Sequence, residues 1–486
     1  MKKTVLFIFA FIAANPFYAQ QCNCPESFDW MVQTFEKNDA GFQYVVDKKG
    51  KADYDKHTLL LKEQAQKTSK TEECGKLMYS WLRYFRSGHI AISVKEQKAE
   101  QPAASHEEIR KLYKNEPTIN LTEKQFLKVL ETKKNKADIE GVWTNDTYKI
   151  GIIADEKTAG KFNGFIIKAD SVYWMPKQIK VQLMINDNKT YSADYYMRDH
   201  SKQAASAKLI GTDKNVLLLF NNYWKREYAK SPLTKGESIL LQFSNSTKPF
   251  LEKLSDKTLY LRIPSFLHEQ KQFIDSVLAK NDKLIKSTAN LIIDIRNGTG
   301  GSDGAYSEII PYLYTNPVRE VGVQLYATEL NAKAYEEYAK DYTDSSSIRY
   351  FNDVAKRMRA KPGTFINNSD EIAYSDTSDT VFPYPQKVAI ICNHNNGSTD
   401  EQFLLGAKQS RKVKVFGMST GGMLDISNMN MLDSPDGKFT LGYCMSKSYR
   451  IPHYCIDGIG IQPDYFIDDM IETYNWINYT QGILEY

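Results

Sequence analysis

The sequence predicts a layered α/β domain preceded by a mainly helical N-terminal region and a small antiparallel β domain. Three observations predict it. Residues 25–135 carry apolar positions at helical spacing, and residues 141–220 break into short strand-like runs separated by turn residues. From Leu259 onward, strands alternate with helices, the pattern of a layered α/β domain. The expected divisions are a signal at 1–19, the helical region at 20–135, the β-rich domain at 136–245 and the α/β domain at 246–486.

The chain opens on Lys2 and Lys3, then a short apolar run from Val5 to Ala14, with a cut expected near Ala19-Gln20. That order is a secretory signal. The run is too short to span a bilayer, and no later segment is long enough. A soluble exported protein, periplasmic or secreted, is expected. Beyond the signal, Phe28, Met31, Val32 and Phe35 keep one helical face, and Leu77, Tyr79, Trp81, Leu82 and Phe85 continue the theme. Lys95 to Glu108 is polar, as suits a linker or a solvated helix.

The β domain is read from Tyr148–Ile153, Gly164–Ile167 and Val181–Ile185, with Trp143 and Trp174 expected in its core. In the α/β domain, strand Leu259–Ile263 precedes helix Glu269–Leu278 and the buried strand Leu291–Ile295. Strand Val388–Cys392, helix Glu401–Lys408 and strand Val413–Phe416 follow. No internal repeat is found.

A net charge of +4 is small against 63 basic and 59 acidic residues, and the basic ones are scattered. That excludes a nucleic-acid footprint. Six cysteines fit an oxidising compartment in a chain long enough to build its own core. Pairing is expected within Cys22, Cys24 and Cys74, and between Cys444 and Cys455, with connectivity left open. Cys22-Asn23-Cys24 has no histidine at ligand spacing, so no metal site is predicted.

Chemistry gathers in two segments. In Asn396-Gly397-Ser398-Thr399-Asp400-Glu401, a serine stands where an apolar strand gives way to a helix. There it sits beside unpaired N–H groups and the positive end of a helix dipole. The same Ser-x-x-Glu pattern is also a capping box. In Asp294-Ile295-Arg296-Asn297-Gly298-Thr299-Gly300-Gly301-Ser302, a buried strand ends in a glycine turn. The turn lacks the Lys-Ser/Thr of a phosphate loop and the spacing of a dinucleotide fingerprint. It remains an anion-binding turn, and no cofactor is predicted. Asp294 and Arg296 either form a structural ion pair or brace the turn.

Together these pieces resemble the C-terminal processing and tricorn-core serine peptidases. The blocks that carry the resemblance are Leu259–Phe266, Ile292–Gly301, Val388–Phe403, Val415–Gly422 and Asp457–Asp464, in family order. Arg86-Ser87-Gly88-His89-Ile90 resembles the family's upstream histidine segment. One branch of the family uses a lysine in a Thr-x-Gly-Lys-Gly stretch. Here Thr420-Gly421-Gly422-Met423-Leu424 puts Met423 at that position, and a thioether cannot take a proton.

The resemblance therefore implies the tricorn-like branch, on a crotonase/Clp-protease-like core. Ser398 would be the nucleophile, His89 the base and Asp457 the acid that holds the imidazole. The Thr399 N–H, with one from Gly300 or Gly301, would form the oxyanion hole, each donor contributing about 3–4 kcal/mol. Two departures stand out. Position 88 is glycine where a supporting serine is usual, with Ser87 one residue off, and Asp457 replaces glutamate. His394, four residues before Ser398, is the rival base.

The expected activity is an exported serine endopeptidase acting on peptides or unfolded protein through an acyl-enzyme. The alternatives are a non-catalytic binding protein on the same fold, or a hydrolase of other acyl compounds. Many family members carry a peptide-binding PDZ module, and residues 141–220 lack a recognisable version of it. Specificity is expected in the β domain and in loops such as Thr328 to Asp353.

Overall fold

The computed structural model of the chain describes residues 21–95, 105–468 and 470–486. The expected signal lies outside them, as do residues 96–104 of the polar stretch. Among the described residues, no helix is long and apolar enough to cross a membrane. The chain divides into two compact units, each assembled from segments distant in sequence. One takes the chain up to Gln97, Arg319–Asp376 and Gly421–Gly460; the other takes Lys98–Val318, Thr377–Thr420 and Ile461–Tyr486.

In the first unit, helices Cys24–Asn38, Phe42–Lys49, Lys51–Ala65 and Thr71–Leu82 pack with a five-stranded sheet. The sheet centres on Phe439–Ser448, which pairs with Ala91–Val94, Val323–Tyr326 and Ile426–Asp433. One apolar cluster joins Phe28, Phe35 and Trp81 of the helices to Phe439, Leu441 and Tyr443 of the sheet. A disulfide links Cys24 to Cys74.

Two expectations are corrected in this unit. Cys444 and Cys455 are not paired; Cys444 is buried, and its thiol donates to the carbonyls of His89 (3.3 Å) and Ile426 (3.5 Å). Thr328 to Asp353 is not a loop but most of a helix pair, Glu329–Ala339 and Ser345–Ala360. Thr328 and Asp344, which read as loop residues, are the N-caps, accepting from the Asn331 and Ser347 N–H groups.

In the second unit, eight antiparallel strands from Gly141–Thr144 to Asn222–Arg226 close into a barrel. Trp143, Trp174 and Trp224 fill its interior. The rest is α/β. A six-stranded sheet runs in the order Phe250–Lys253, Thr258–Arg262, Asn290–Asp294, Lys387–Cys392, Val413–Gly417, Tyr465–Phe466. All neighbours but the first pair are parallel. Helix Trp476–Glu485 covers one face, its Trp476, Ile477 and Leu484 joining the cluster that holds Ile292, Ala389 and Ile391. The glycine turn and the Ser398 loop leave the carboxyl ends of adjacent parallel strands, the usual place for a ligand in such a sheet.

Candidate active site

Ser398 has φ 60° and ψ −124° and stands directly before helix Thr399–Ala407. A capping serine has extended backbone and lends its hydroxyl to the helix. This one keeps the reciprocal pairing with Glu401 but not the extended backbone. The Glu401 N–H goes to the Ser398 carbonyl oxygen at 2.8 Å. In the capping box, Glu401 Oε2 accepts the Ser398 N–H at 3.2 Å. Glu401 is held in turn by the Thr420 hydroxyl, which donates to Oε1 while accepting the Ile461 N–H at 2.7 Å. A conformation of this kind costs about 1–3 kcal/mol and persists only where neighbours impose it. A serine on a strained strand-to-helix turn is presented outward, as a nucleophile is.

The glycine turn is pressed against that serine. Gly300 has φ 80°, and a methyl group on its Cα would lie 2.8 Å from Ser398 Cβ and 3.2 Å from the Thr399 nitrogen. At Gly301 the same methyl would strike the Phe266 carbonyl at 2.2 Å. Only glycine allows that approach. The Thr399 N–H, first in its helix, is one of the donors an α-helix leaves without an internal partner. The Gly300 N–H leans on Asp400 Oδ2 at 3.4 Å.

Under the turn lies a buried ion pair. Arg296 Nη2 is 2.6 Å from Asp294 Oδ2, and both side chains are buried. Tyr260 adds a hydroxyl to Asp294 at 3.0 Å, and Arg262 donates to the carbonyls of Asp294 and Arg296, each at 2.8 Å. Burial alone would raise the Asp294 pKa, but Arg296 and Arg262 hold the carboxyl below its ordinary value. Both readings of the pair therefore meet in one geometry.

The histidine and the late acid belong to the other unit. His89 has φ 52°, and its Nδ1 lies 2.8 Å from the Ile426 carbonyl. That contact makes Nδ1 the protonated nitrogen and leaves Nε2 as acceptor. Burial lowers the His89 pKa, outweighing the opposite pull of Ile426 and Asp457. Asp457 does not hydrogen-bond the imidazole. Its oxygens accept the N–H groups of Leu424 (2.7 Å), Asp425 (2.7 Å) and Ile426 (3.1 Å). Asp425 returns the clasp, accepting the Asp457 N–H at 3.0 Å and Arg450 Nε at 2.7 Å. Asp457 thus holds the segment that offers Ile426 to His89, and it acts on the ring through space. Burial raises its own pKa.

The departures at positions 88 and 423 explain each other. A methyl on Gly88 would lie 2.0 Å from Met423 Sδ, so the thioether fills the room a serine side chain needs. Ser87 is exposed, and its carbonyl accepts from Arg83 at 2.9 Å. The rival His394 lies in the same unit as Ser398, where it is exposed with Nδ1 3.3 Å from the Ser419 carbonyl.

A family model described as Peptidase family S41 matches residues 257–467. That segment belongs to peptidase family S41. Ser398, Asp457 and the glycine turn lie inside the S41 segment; His89 and the barrel lie outside it. No curated protein matches the chain.

Three solved structures are similar to the chain to different degrees. A CPAF variant has 9% identity over 95% of this chain and 96% of that one, with a TM-score of 0.50. The photosystem II D1 C-terminal processing protease has 10% identity over 96% and 97%, with a TM-score of 0.39. A Parabacteroides merdae protein described as a peptidase has 16% identity over 49% and 65%, with a TM-score of 0.32. The likeness to the CPAF variant, at 9% identity, is one of fold alone.

Sequence reasoning missed the asparagines that lock the S41 site. Asn396 is buried and gives its amide to the Ile295 carbonyl (2.7 Å) and Asp400 Oδ2 (2.8 Å). Asn393 pairs with Asn297 across the turn, accepting its N–H at 3.0 Å and donating to its side chain at 2.8 Å. The signal was present in Asn393-His394-Asn395-Asn396, since asparagine side chains hydrogen-bond nearby backbone in loops.

Proposed function

We propose that the chain is a serine endopeptidase that hydrolyses peptide bonds through an acyl-enzyme on Ser398. The observation that carries this reading is the left-handed backbone of Ser398 at the strand-to-helix junction, with the glycine turn pressed against it. In the proposed cycle His89 Nε2 takes the Ser398 proton and later returns it to the leaving amine. The Ile426 carbonyl, rather than a carboxylate, keeps the imidazole in its working tautomer, and Asp457 steadies the charge on it. The Thr399 and Gly301 N–H groups meet the oxyanion, because Asp400 already draws on Gly300. The substrate is a peptide or an unfolded protein segment.

Ser398→Ala is expected to lower kcat on an unfolded protein substrate by about 10⁴-fold or more at an unchanged melting temperature. Retained turnover would remove the assignment. A second reading, a binding protein on the same fold, draws support from the absence of a hydrogen bond between Asp457 and His89. Covalent labelling of Ser398 by a fluorophosphonate separates the two: a folded, unlabelled protein favours binding.

Export is part of the proposal. It rests on the charged-then-apolar start of the chain and on the Cys24–Cys74 disulfide, a bond that persists in oxidising compartments. A mature N-terminus at Gln20 in protein recovered outside the cytoplasm is the expected result; one retained at Met1 contradicts it.

A further inference from the structure

The N-terminal sulfurs form a cluster that the peptidase chemistry does not use. Cys22, Cys24 and Cys74 bring their Sγ atoms within 4.8 Å of one another, although only two of the three are bonded. The bonded pair is sealed from solvent, while Cys22 is partly exposed. Backbone contacts hold the third thiol in place. The Cys22 N–H donates to the Ser69 carbonyl at 2.9 Å, Gln21 bridges to Lys70, and Lys438 Nζ donates to the Gln21 carbonyl at 2.7 Å. Cys24 opens helix Cys24–Asn38 and Cys74 lies in the first turn of Thr71–Leu82, so both bonded sulfurs sit at positive helix ends.

We propose that Cys22, Cys24 and Cys74 form a thiol–disulfide exchange site through which a small external thiol reaches an otherwise sealed disulfide. In the first step the Cys22 thiol gives its proton to water, and its sulfur forms a bond to Cys74 Sγ. The electron pair of the Cys24–Cys74 bond leaves on Cys24 Sγ, which takes up a proton. One disulfide exists before and after, so no oxidant or reductant is needed. The leaving sulfur is the one at the helix start, where a thiolate is most stable.

In the second step the new Cys22–Cys74 bond presents a partly exposed sulfur. An external thiolate attacks Cys22 Sγ, leaving a mixed disulfide on Cys22 and a thiol on Cys74. Without Cys22 both sulfurs of the native bond stay covered. Burial, helped by Asp436, raises the Cys22 pKa against the Thr71 hydroxyl and Lys438, so exchange accelerates as the medium becomes alkaline.

The test uses the full chain as folded. Protein held at pH 8.5 is quenched in acid, denatured and labelled with N-ethylmaleimide, and the labelled cysteine is located by fragmentation. Cys392, Cys444 and Cys455 are free and take label in either case. Among the three N-terminal cysteines, label divided between Cys22 and Cys24 is expected; label on Cys22 alone of the three overturns the proposal. In parallel, 2-mercaptoethanol is expected to open the disulfide about tenfold more slowly in Cys22→Ser than in the native chain, at matched melting temperature. Equal rates overturn it. If Cys22→Ser fails to fold, the label distribution in the native protein decides alone.

Discussion

Ser398 holds a backbone conformation that a serine adopts only under constraint, and the residues around it are Glu401, held by Thr420, and the two glycines of the turn. Gly300→Ala tests that constraint. The added methyl meets Ser398 Cβ at 2.8 Å in a left-handed segment, so the turn moves away from the serine. We expect kcat to fall about 10²–10³-fold, the scale of a lost oxyanion donor, with a smaller change in KM. Two titrating residues set the pH behaviour. In the proposed cycle the base is His89, which takes a proton only when neutral; its pKa is lowered, so kcat/KM is expected to fall as pH drops through a midpoint below 6.5.

Asp400 works in the other direction. Its carboxyl is 1% exposed, with Oδ1 lacking a hydrogen-bond partner, and burial pushes its pKa from 3.8 up to about 6. The folded chain therefore binds more protons than the unfolded chain between those values, and stability declines as pH rises through them. The penalty at neutral pH is about 3 kcal/mol. Asp400→Asn is expected to melt higher than the native chain at pH 7.5, with the gain vanishing below pH 4. An identical pair of melting curves would contradict this.

At the level of elements, the parallel strands were legible because they are buried on both faces and read as apolar runs. Leu291–Ile295 and Val388–Cys392 differ from the observed strands by one residue. The hairpin Ile426–Asp433 with Phe439–Ser448 was not legible. Its strands bury Ser446 and Ser448, and Ser446 accepts the Asn428 amide at 2.9 Å. Polar residues buried with partners break the apolar alternation that marks a strand. The strand end at Asp294 carries a prediction of its own. Asp294→Asn leaves Arg296 buried without its counter-charge, which costs about 3–5 kcal/mol. Because the Asp294 pKa is lowered, its contribution is present above the ordinary carboxylate value and lost as acid is added. The native and variant melting temperatures are therefore expected to differ most near neutrality and to converge in acid.

On the scale of the molecule, the chain is interleaved: each unit is completed by segments that return after the other has been visited. The first unit's apolar cluster needs Phe28, Phe35 and Trp81 against Phe439, Leu441 and Tyr443. Deleting residues 22–97 is therefore expected to expose that sheet face, seen as strong binding of a hydrophobic dye and loss of one cooperative melting step. A variant that binds no dye and melts as the native chain does would contradict it.

The sequence by itself determined the alternation of strands and helices, the serine at its junction and the loss of the lysine position, because each is written in residues adjacent along the chain. Tertiary structure alone decided that Ser398 is strained while it caps the helix, that Met423 excludes a side chain at Gly88, and that Asp457 holds a loop instead of the imidazole. Those depend on which atoms fill a given space, and residues hundreds of positions apart supply them.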